Sequence, residues 1–306
     1  MNDAPSREMA IAMALGKCAD AVDLSAPGRW AFTLSNGTDL AARARVDDGW
    51  LLLTAALGDG SVSPARSWEL LRRNAVLDGG ARVAVRAGRP GLHACAELPL
   101  DDEVDLPRRV LEACGGLKAA NERLVCAPDG TGDAMTSVAS EGASADLPCL
   151  CRESGWSFVE REGGRLGVDL DVPGAFQQAI VEPRGRGVAV TVPVLEAAGP
   201  SPSVCEQALG LLLLRVCGIV RMARAAADLG DGVPQARFEV VFGSRPCAAE
   251  LTHAFAALSV ACRIAGREAA VLWTDEKIAG AYLEQWDRKK EDHDGDSDDD
   301  TGAAGE

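Results

Sequence analysis

The stretch LLRRNAVLDGGARVAVRAGRPGLHACAEL, residues 70–98, decides the fold because it recurs later in the chain. At an offset of 142 residues it pairs without a gap with LLLRVCGIVRMARAAADLGDGVPQARFEV, residues 212–240. The identical pairs are Leu70/Leu212, Leu71/Leu213, Arg73/Arg215, Ala81/Ala223, Arg82/Arg224, Ala84/Ala226, Gly88/Gly230, Ala94/Ala236 and Glu97/Glu239. Similarity of a chain to itself at a fixed offset indicates an internal duplication. We therefore interpret the chain as two copies of one unit.

The first copy alternates between helical and extended patterns. Apolar residues at helical spacing after Ser6, a favourable N-cap, predict a first helix over residues 6–22. The turn sequences Asn36-Gly37 and Asp48-Gly49 separate three apolar stretches, which predicts an antiparallel meander. The predicted strands are 30–34, 40–46, 50–57, 82–86 and 92–98; a short central helix begins at Ser67 and ends before Gly79-Gly80, and a last helix covers 106–124. The predicted order is αβββαββα.

The second copy follows residues 127–148, whose Gly, Ala, Ser, Thr and Asp content predicts a linker. Strands are expected at 156–159, 166–172 and 187–195, and no convincing first helix precedes Trp156. Registration on the first copy ends the next helix near Cys217-Gly218 and makes 220–227 a strand, rather than part of one long helix. A strand at 237–242 and a helix over 248–264 complete this copy.

The expected fold is α+β, with two tandem αβββαββα units of curved antiparallel sheet packed on helices. The first unit spans 1–126 and the second 149–290, followed by an acidic tail at 291–306. We expect the units to pack as an internal pseudo-dimer, which predicts a monomeric chain. The predicted contacts between the units come from Trp68, Leu70, Leu71, Leu209, Leu212 and Leu213.

Charge and hydropathy narrow the classes of partner. The 306-residue chain has a net charge of −15, and residues 291–306 contribute eight acids without any Lys or Arg. An acidic body without a basic stripe argues against nucleic acid and against anionic membranes, because phosphate groups require clustered Lys and Arg. The apolar run 208–214 is too short to span a bilayer. The N-terminal residues lack the pattern of a secretory signal, so we expect a cytoplasmic protein.

The sequence shows no catalytic, metal or cofactor signature. It has three histidines, and none of its Gly-rich turns completes a nucleotide-binding motif. The ten cysteines lie mostly in apolar segments, where a free thiol behaves as a small hydrophobic side chain. Cys149 and Cys151 form a C-x-C, but a tetrahedral zinc site needs four ligands, and the sequence has neither a C-x-x-C pair nor a nearby His to supply them. We predict a protein without catalytic residues, metal or cofactor, and interpret the acids Asp101, Asp102, Glu103 and Asp105 as capping the next helix.

Several short motifs resemble the type III secretion chaperone fold, which includes the Tir chaperone (CesT) family and YbjN-type proteins. The matching residues are Leu70, Leu71 and Asn74 in the central helix, Gly79-Gly80-Ala81 at its exit, and the strand end at 97–100 followed by acids. In the second copy Val216 replaces the Asn. The resemblance covers residues 6–124 well and 156–264 more loosely.

The resemblance implies a non-enzymatic, acidic, cytoplasmic protein that holds an extended segment of a client, in some cases a secreted effector. The alternative is a YbjN-type scaffold or regulatory interaction protein without a secretion role; an unrecognised enzyme ranks below both. Fold alone does not decide between them.

The C-terminus predicts a final helix over 275–290 and then disorder. Ile278, Tyr282 and Trp286 recur at a spacing of four and so share one face, which we expect to dock on the core. The tail at 291–306 is too charged to fold.

Overall fold

Two antiparallel sheets of six strands, with seven helices, make up the described part of the chain. The structure is a computed structural model and describes residues 6–35, 39–58, 62–86, 91–125, 147–172, 175–196, 203–230 and 233–294. The expected α+β class with antiparallel sheets is confirmed. The predicted linker at 127–148 lies outside these residues except for its last two, which begin a helix.

The first half, residues 6–125, opens with a helix whose cap matches the prediction: the Ser6 hydroxyl accepts a hydrogen bond from the backbone N–H of Met9 at 3.3 Å. Its elements are α1 (Arg7–Leu15), β1 (Ala21–Ala26), β2 (Arg29–Ser35), β3 (Asp39–Asp47), β4 (Trp50–Ala56), α2 (Ser67–Ala75), β5 (Arg82–Val85), β6 (Leu92–Pro99) and α3 (Leu106–Val125). Asp48 and Gly49 both have positive φ in the turn between β3 and β4, as a tight hairpin requires.

The second half, residues 147–294, repeats this order and adds one helix. Its elements are α4 (Leu147–Glu153), β7 (Phe158–Glu160), β8 (Leu166–Val172), β9 (Ala175–Arg184), β10 (Gly187–Glu196), α5 (Ser203–Ile219), β11 (Arg224–Gly230), β12 (Val233–Phe242), α6 (Ala248–Thr274) and α7 (Glu276–Asp294). The strand orders are β1-β2-β3-β4-β6-β5 and β7-β8-β9-β10-β12-β11. The two halves therefore share one topology.

Each half differs from the predicted αβββαββα order by one additional strand. In the first half β1 occupies Ala21–Ala26, whereas we had extended the first helix to residue 22. In the second half β9 lies between two of the predicted strands. The meander has four strands because each of these segments pairs with its neighbour in sequence, β1 with β2 and β9 with β10.

Two further sequence predictions need correction in the second half. A first helix does precede Trp156, because α4 covers Leu147–Glu153 and buries Leu147, Leu150 and Cys151. α5 continues to Ile219, and the following strand begins at Arg224 rather than at residue 220. Arg224 is the residue that the duplication pairs with Arg82, and β5 begins at Arg82. The register deduced from the repeat therefore holds at the start of this strand.

The C-terminal helices pack on the second half. α6 extends ten residues past its predicted end, and α7 contacts both α5 and α6. The face of α7 turned toward the core carries Ala279, Tyr282, Leu283 and Trp286. Ile278 is 46 % exposed, so its assignment to the docked stripe is wrong. α7 ends at Asp294, four residues later than expected, and the rest of the acidic tail lies outside the described residues.

Candidate protein-binding edge

The central helices α2 and α5 lie against each other. The six apolar residues predicted to join the halves are all buried, namely Trp68, Leu70, Leu71, Leu209, Leu212 and Leu213. The Ser67 hydroxyl donates a hydrogen bond to the Gln207 carbonyl oxygen at 3.1 Å, and a Cβ added at Gly210 would lie 2.9 Å from Ser67 Cβ. The two helices therefore approach closely at this point. Trp68 stacks on Trp273 of α6, with 6.0 Å between ring centroids.

Arg82 and Arg224, which the duplication pairs, each bind carbonyl oxygens of the opposite half. Arg82 donates to the carbonyl oxygens of Cys217 at 2.7 Å and Val220 at 3.0 Å. Arg224 donates to the carbonyl oxygen of Leu77 at 2.7 Å. These carbonyl groups lie in the last turn of a central helix or just after it, where helix geometry leaves acceptors without partners. Each arginine thus completes the end of the other half's central helix.

Each of these arginines also forms a buried ion pair within its own sheet. Arg82 binds Glu97 at 2.7 Å, and Arg224 binds Glu239 at 2.8 Å. Burial by itself lowers the pKa of Arg82, but the charge and hydrogen bonding of Glu97 outweigh burial and raise the pKa overall. Burial would raise the pKa of Glu239, but Arg224 and Arg237 outweigh it and hold that pKa below its usual range. Arg82 and Glu239 therefore remain charged in the folded protein.

The strands at the inner edges, β5 and β11, are covered by side chains of the central helices. Asn74 Oδ1 accepts the backbone N–H of Val83 at 2.7 Å, while Asn74 Nδ2 donates to the carbonyl oxygens of Val83 and Ala225, both at 3.0 Å. Cys217 Sγ accepts the backbone N–H of Ala225 at 2.9 Å. Val83 and Ala225 are partners in the duplication. Backbone groups that an edge strand would leave open are bonded at both positions, so the inner edges are closed to a further strand.

The outer edge of the first sheet, β1, is open by comparison. Among the described elements, β2 is the one with which β1 makes extensive contact. Val22 and Leu24 lie opposite Phe32 and Trp30, which face the core, so these two side chains continue the apolar face of the sheet. Leu24 is nevertheless 63 % exposed. An open strand with apolar side chains on its covered face is suited to pair with another strand.

α1 begins near the turn that follows β1 and carries two exposed apolar side chains of its own. The Glu8 carboxylate lies above the β1–β2 turn, 3.7 Å from the position of a Cβ added at Gly28. α1 therefore begins where β1 ends. Met9 and Met13, one turn apart on α1, are 55 % and 57 % exposed. We call Met9, Met13, Val22 and Leu24 the α1–β1 surface.

β1 is absent from the predicted elements, although the sequence carries a signal for it. In residues 21–26, AVDLSA, apolar Val22 and Leu24 alternate with polar Asp23 and Ser25, and Pro27-Gly28 follow. Alternation followed by a turn is the pattern of a half-buried strand. The prediction assigned Ala21 and Val22 to the preceding helix because they continue its apolar spacing, and it assigned no element to residues 23–26.

The outer edge of the second sheet, β7, is less suited to pair with a further strand. β7 has three residues, Phe158–Glu160, and α4 packs beside it. Val159 is exposed on this strand. Three residues provide few backbone groups for pairing, so β1 is the longer of the two outer strands.

The acids before α3 have separate roles. Asp105 accepts a backbone N–H in the first turn of α3 at 3.3 Å and so caps that helix. Asp102 instead pairs with Arg7 at 2.8 Å, and Asp101 with His253 at 2.7 Å. In the part of the chain that the structure describes, no three His, Cys, Asp or Glu residues are grouped as a metal would require.

The lining of a pocket between the halves includes charged residues that bind one another. Arg109 of α3 donates to Glu250 at 2.5 Å and 2.8 Å, to Glu112 at 2.6 Å and to Ser244 at 2.9 Å. Its guanidinium also lies 5.3 Å from the ring centroid of Phe242. These groups satisfy one another across α3, β12 and α6, so the pocket is a structural contact between the halves.

Comparison with protein families, with curated proteins and with solved structures finds no match to this chain. No helix in the described residues is long and apolar enough to cross a membrane. The resemblance to secretion chaperones therefore rests on the sequence motifs, and the functional argument rests on the geometry of the outer edge.

Proposed function

We propose that this protein is a non-enzymatic, cytoplasmic, type III secretion chaperone-like protein that holds an extended segment of a client protein along the α1–β1 surface. One observation carries the proposal: the inner edges are closed by Asn74 and Cys217, while β1 presents an open edge beside exposed apolar side chains. Binding of an extended segment as an added strand needs these two features together.

In the proposed complex the client adds a strand beside β1. Main-chain hydrogen bonds supply affinity that does not depend on client sequence, and alternate side chains supply selectivity. Client residues on the same face as Val22 and Leu24 would pack against these two side chains, which favours apolar residues at every second position. Asp23 points to the other face, where a polar or basic client residue would fit. The charge of Asp23 also discourages pairing of two copies through the same edge.

The internal contact between the halves fits a chain that acts as a monomer. Arg82 and Arg224 each bind the opposite half, so the surfaces that a separate subunit would use are occupied within one chain. The proposal therefore predicts one main client site per chain, because β7 is short.

The test uses a random-peptide display library selected on the full-length chain. We expect selected peptides with alternating apolar residues, and we expect bound peptide to slow hydrogen exchange of the amides in β1. Leu24→Asp should weaken binding at least about tenfold, because burial of a leucine side chain is worth roughly 1.5–3 kcal/mol.

The matched control is Val159→Asp, which places the same charge at an exposed position of the other outer strand. Binding should survive this change. Selection that yields no peptide, or protection that maps to α6 and α7 instead of β1, would contradict the proposal and favour a scaffold that binds folded partners.

A further inference from the structure

The first sheet has an outer face, opposite to the side on which Trp30 and Phe32 are buried, and this face carries three arginines. Arg29 on β2 lies directly opposite Arg45 on β3, and Arg43 precedes Arg45 by two residues. All three arginines are exposed. Because side chains alternate along a strand, their guanidinium groups stand on the same side of the sheet. We call Arg29, Arg43 and Arg45 the arginine cluster.

The positive charge of this cluster is largely uncompensated. Like charges directly opposite each other destabilise an antiparallel pair of strands, and Arg29 and Arg45 are such a pair. In the described residues neither Arg29 nor Arg43 forms an ion pair. The Asp47 carboxylate is shared between Arg45 at 3.4 Å and Arg221 at 3.3 Å. A chain with 46 acidic residues and 31 Lys and Arg thus keeps a positive cluster on one exposed face, at a cost in stability.

The second half of the chain borders this face. In the cross-strand row that begins with Arg29 and Arg45, the next two residues are Leu52 on β4 and Glu97 on β6. Leu52 is buried, and Glu97 accepts the backbone N–H of Met222 at 3.3 Å. The row therefore passes from open surface on β2 and β3 to contact with the second half on β6.

Trp50 and Arg221 stand at this border. Trp50 is half-buried and lies directly opposite Asp47 across the β3–β4 hairpin. The Arg221 guanidinium lies 5.5 Å from the centroid of the Trp50 ring, within the range of a cation–π contact. The second half thus places a fourth arginine, held by a carboxylate and an aromatic ring, beside the arginine cluster.

Beyond the cluster the outer face is flat. Ala31 lies opposite Arg43, and Thr33 lies opposite Ala41, so small side chains continue the surface along β2 and β3. Among the residues of β1, β2 and β3, the other acids on this face are Asp23 on β1 and Asp39 at the far end of β3. An extended chain can therefore approach the arginines closely.

We propose that the arginine cluster is a docking site for an acidic segment of a partner protein, which binds in extended form along β3. Alternate residues of an extended chain lie about 6.6–6.8 Å apart on one side, which is also the spacing of Arg43 and Arg45 along β3. Carboxylates at two alternate positions of the segment would each meet one of these guanidinium groups, and Arg29 would join Arg45 on the second carboxylate. Hydrogen bonds between guanidinium and carboxylate groups are charge-assisted and often bidentate.

The surroundings of the cluster limit the kind of partner. A long polyanion such as nucleic acid would extend past the arginines and meet the acidic remainder of the protein, which has a net charge of −15. A protein segment can carry its acids over a few positions and change character afterwards. Next to the two carboxylates, the residue that reaches Asp47 and Trp50 would be basic or aromatic.

This inference goes beyond the proposed function and does not rest on it. The arginine cluster and Leu24 lie on opposite faces of the sheet, because Leu24 pairs with core-facing Trp30. Loss of binding at one surface therefore leaves the other to be measured separately.

The experiment measures fluorescence anisotropy of labelled peptides added to the full-length chain. The probe is an eight-residue peptide that alternates serine and glutamate, and its control alternates serine and lysine. We expect the glutamate peptide to bind and the lysine peptide not to bind. Replacement of two arginines, Arg43→Gln with Arg45→Gln, should weaken binding at least about fivefold, since each exposed ion pair contributes modestly. The matched control is Arg263→Gln with Arg267→Gln, at two exposed positions of α6, which should bind as the parental chain does.

A charge reversal separates docking from folding. Arg29→Glu places an acid opposite Arg45, so it replaces two like charges by a cross-strand ion pair. We expect the urea midpoint to rise or stay unchanged while peptide binding weakens at least about fivefold. Weaker binding that merely followed a loss of folding would instead come with a lower midpoint and would contradict a docking role for Arg29.

Three further results would overturn the proposal. The first is equal affinity for the glutamate and lysine peptides. The second is tighter binding of a single-stranded oligodeoxythymidine than of the glutamate peptide, which would assign the cluster to nucleic acid. The third is a gain in peptide affinity of at least about tenfold after truncation at Asp294, beyond what a change in net charge explains, because the chain's own acidic tail would then be the occupant.

Discussion

Arg82 and Arg224 stand at equivalent positions of the duplicated halves, and each bonds the end of the other half's central helix. Asn74 adds a third bond of this kind, from α2 to the carbonyl oxygen of Ala225. Neither half can satisfy these buried carbonyl oxygens without the other. We therefore expect the two halves to unfold in one cooperative transition, because an unpaired buried polar group costs about as much as a lost hydrogen bond.

Replacement of Arg82 by methionine should destabilise the protein strongly. Arg82→Met leaves the Glu97 carboxylate without its cation and the carbonyl oxygens of Cys217 and Val220 without their donor. Removal of one partner of a buried ion pair costs about 3–5 kcal/mol. Urea unfolding measures the change, and the control is Arg43→Met at an exposed position of β3, which should stay within about 0.5 kcal/mol. Equal losses for both variants would contradict the role of Arg82.

Glycine substitutions in helices test how closely the halves approach. Gly210→Ala places a methyl group against Ser67 across the α2–α5 contact, and overpacking of this kind costs about 1–3 kcal/mol. The control is Gly266→Ala in α6, where nothing lies within 4 Å of the new atom. That change should stabilise the protein by about 0.5–1 kcal/mol, because alanine favours the helix. In urea unfolding we expect the free energy of unfolding to fall for Gly210→Ala and to rise for Gly266→Ala. If both variants stabilise the protein, the helices are farther apart than the structure shows.

The sequence could predict the features that depend on local chemistry. The caps and turns at Ser6, Asp48 and Gly49 depend on residues that are neighbours in sequence, and the structure forms them as expected. The duplication predicted that a strand follows the central helix of the second half, where helical periodicity alone favoured one long helix, although it placed the start of that strand at residue 220 and β11 begins at Arg224. The identity of Arg82 with Arg224 was visible in the alignment of the two copies. The direction of the side chains of Arg82 and Arg224 could not be predicted from the sequence, because it depends on how the two halves pack together.

The candidate site was harder to predict for a related reason. β1 is short and follows α1 after only five residues, so its alternation merges with the helical pattern before it. The exposure of Leu24 depends on tertiary neighbours, which the local pattern does not encode.

Stability should fall in alkaline solution because several thiols are buried. Burial raises the pKa of these cysteines to about 11, namely Cys95, Cys151, Cys217 and Cys262. In the unfolded chain a thiol ionises near about pH 8.5. Between these values the unfolded state holds fewer protons than the folded state, so the free energy of unfolding decreases as the pH rises from about 8.5 to about 11.

Urea unfolding with reductant present, at intervals from about pH 7 to about pH 10.5, measures this slope. Cys262→Ala should make the slope shallower by removing one of the four groups. A free energy of unfolding that stays constant across this range would show that these thiols ionise in the folded protein as they do in water.

The C-terminal helix should contribute to stability, while the residues after it should not. Truncation after Asp294 removes acids with almost no apolar side chains, so the melting temperature should stay unchanged. Leu283→Ala should destabilise by about 1–3 kcal/mol, because Leu283 packs against the core and loses contacts when shortened. Ile278→Ala is the matched control on the same helix, and its effect should be within about 0.5 kcal/mol because Ile278 is largely exposed. Thermal melts of the three variants measure these effects. A larger drop in melting temperature from Ile278→Ala than from Leu283→Ala would mean that α7 docks through the face predicted from its spacing of four. A drop from the truncation alone would mean that the acidic residues bind the folded protein.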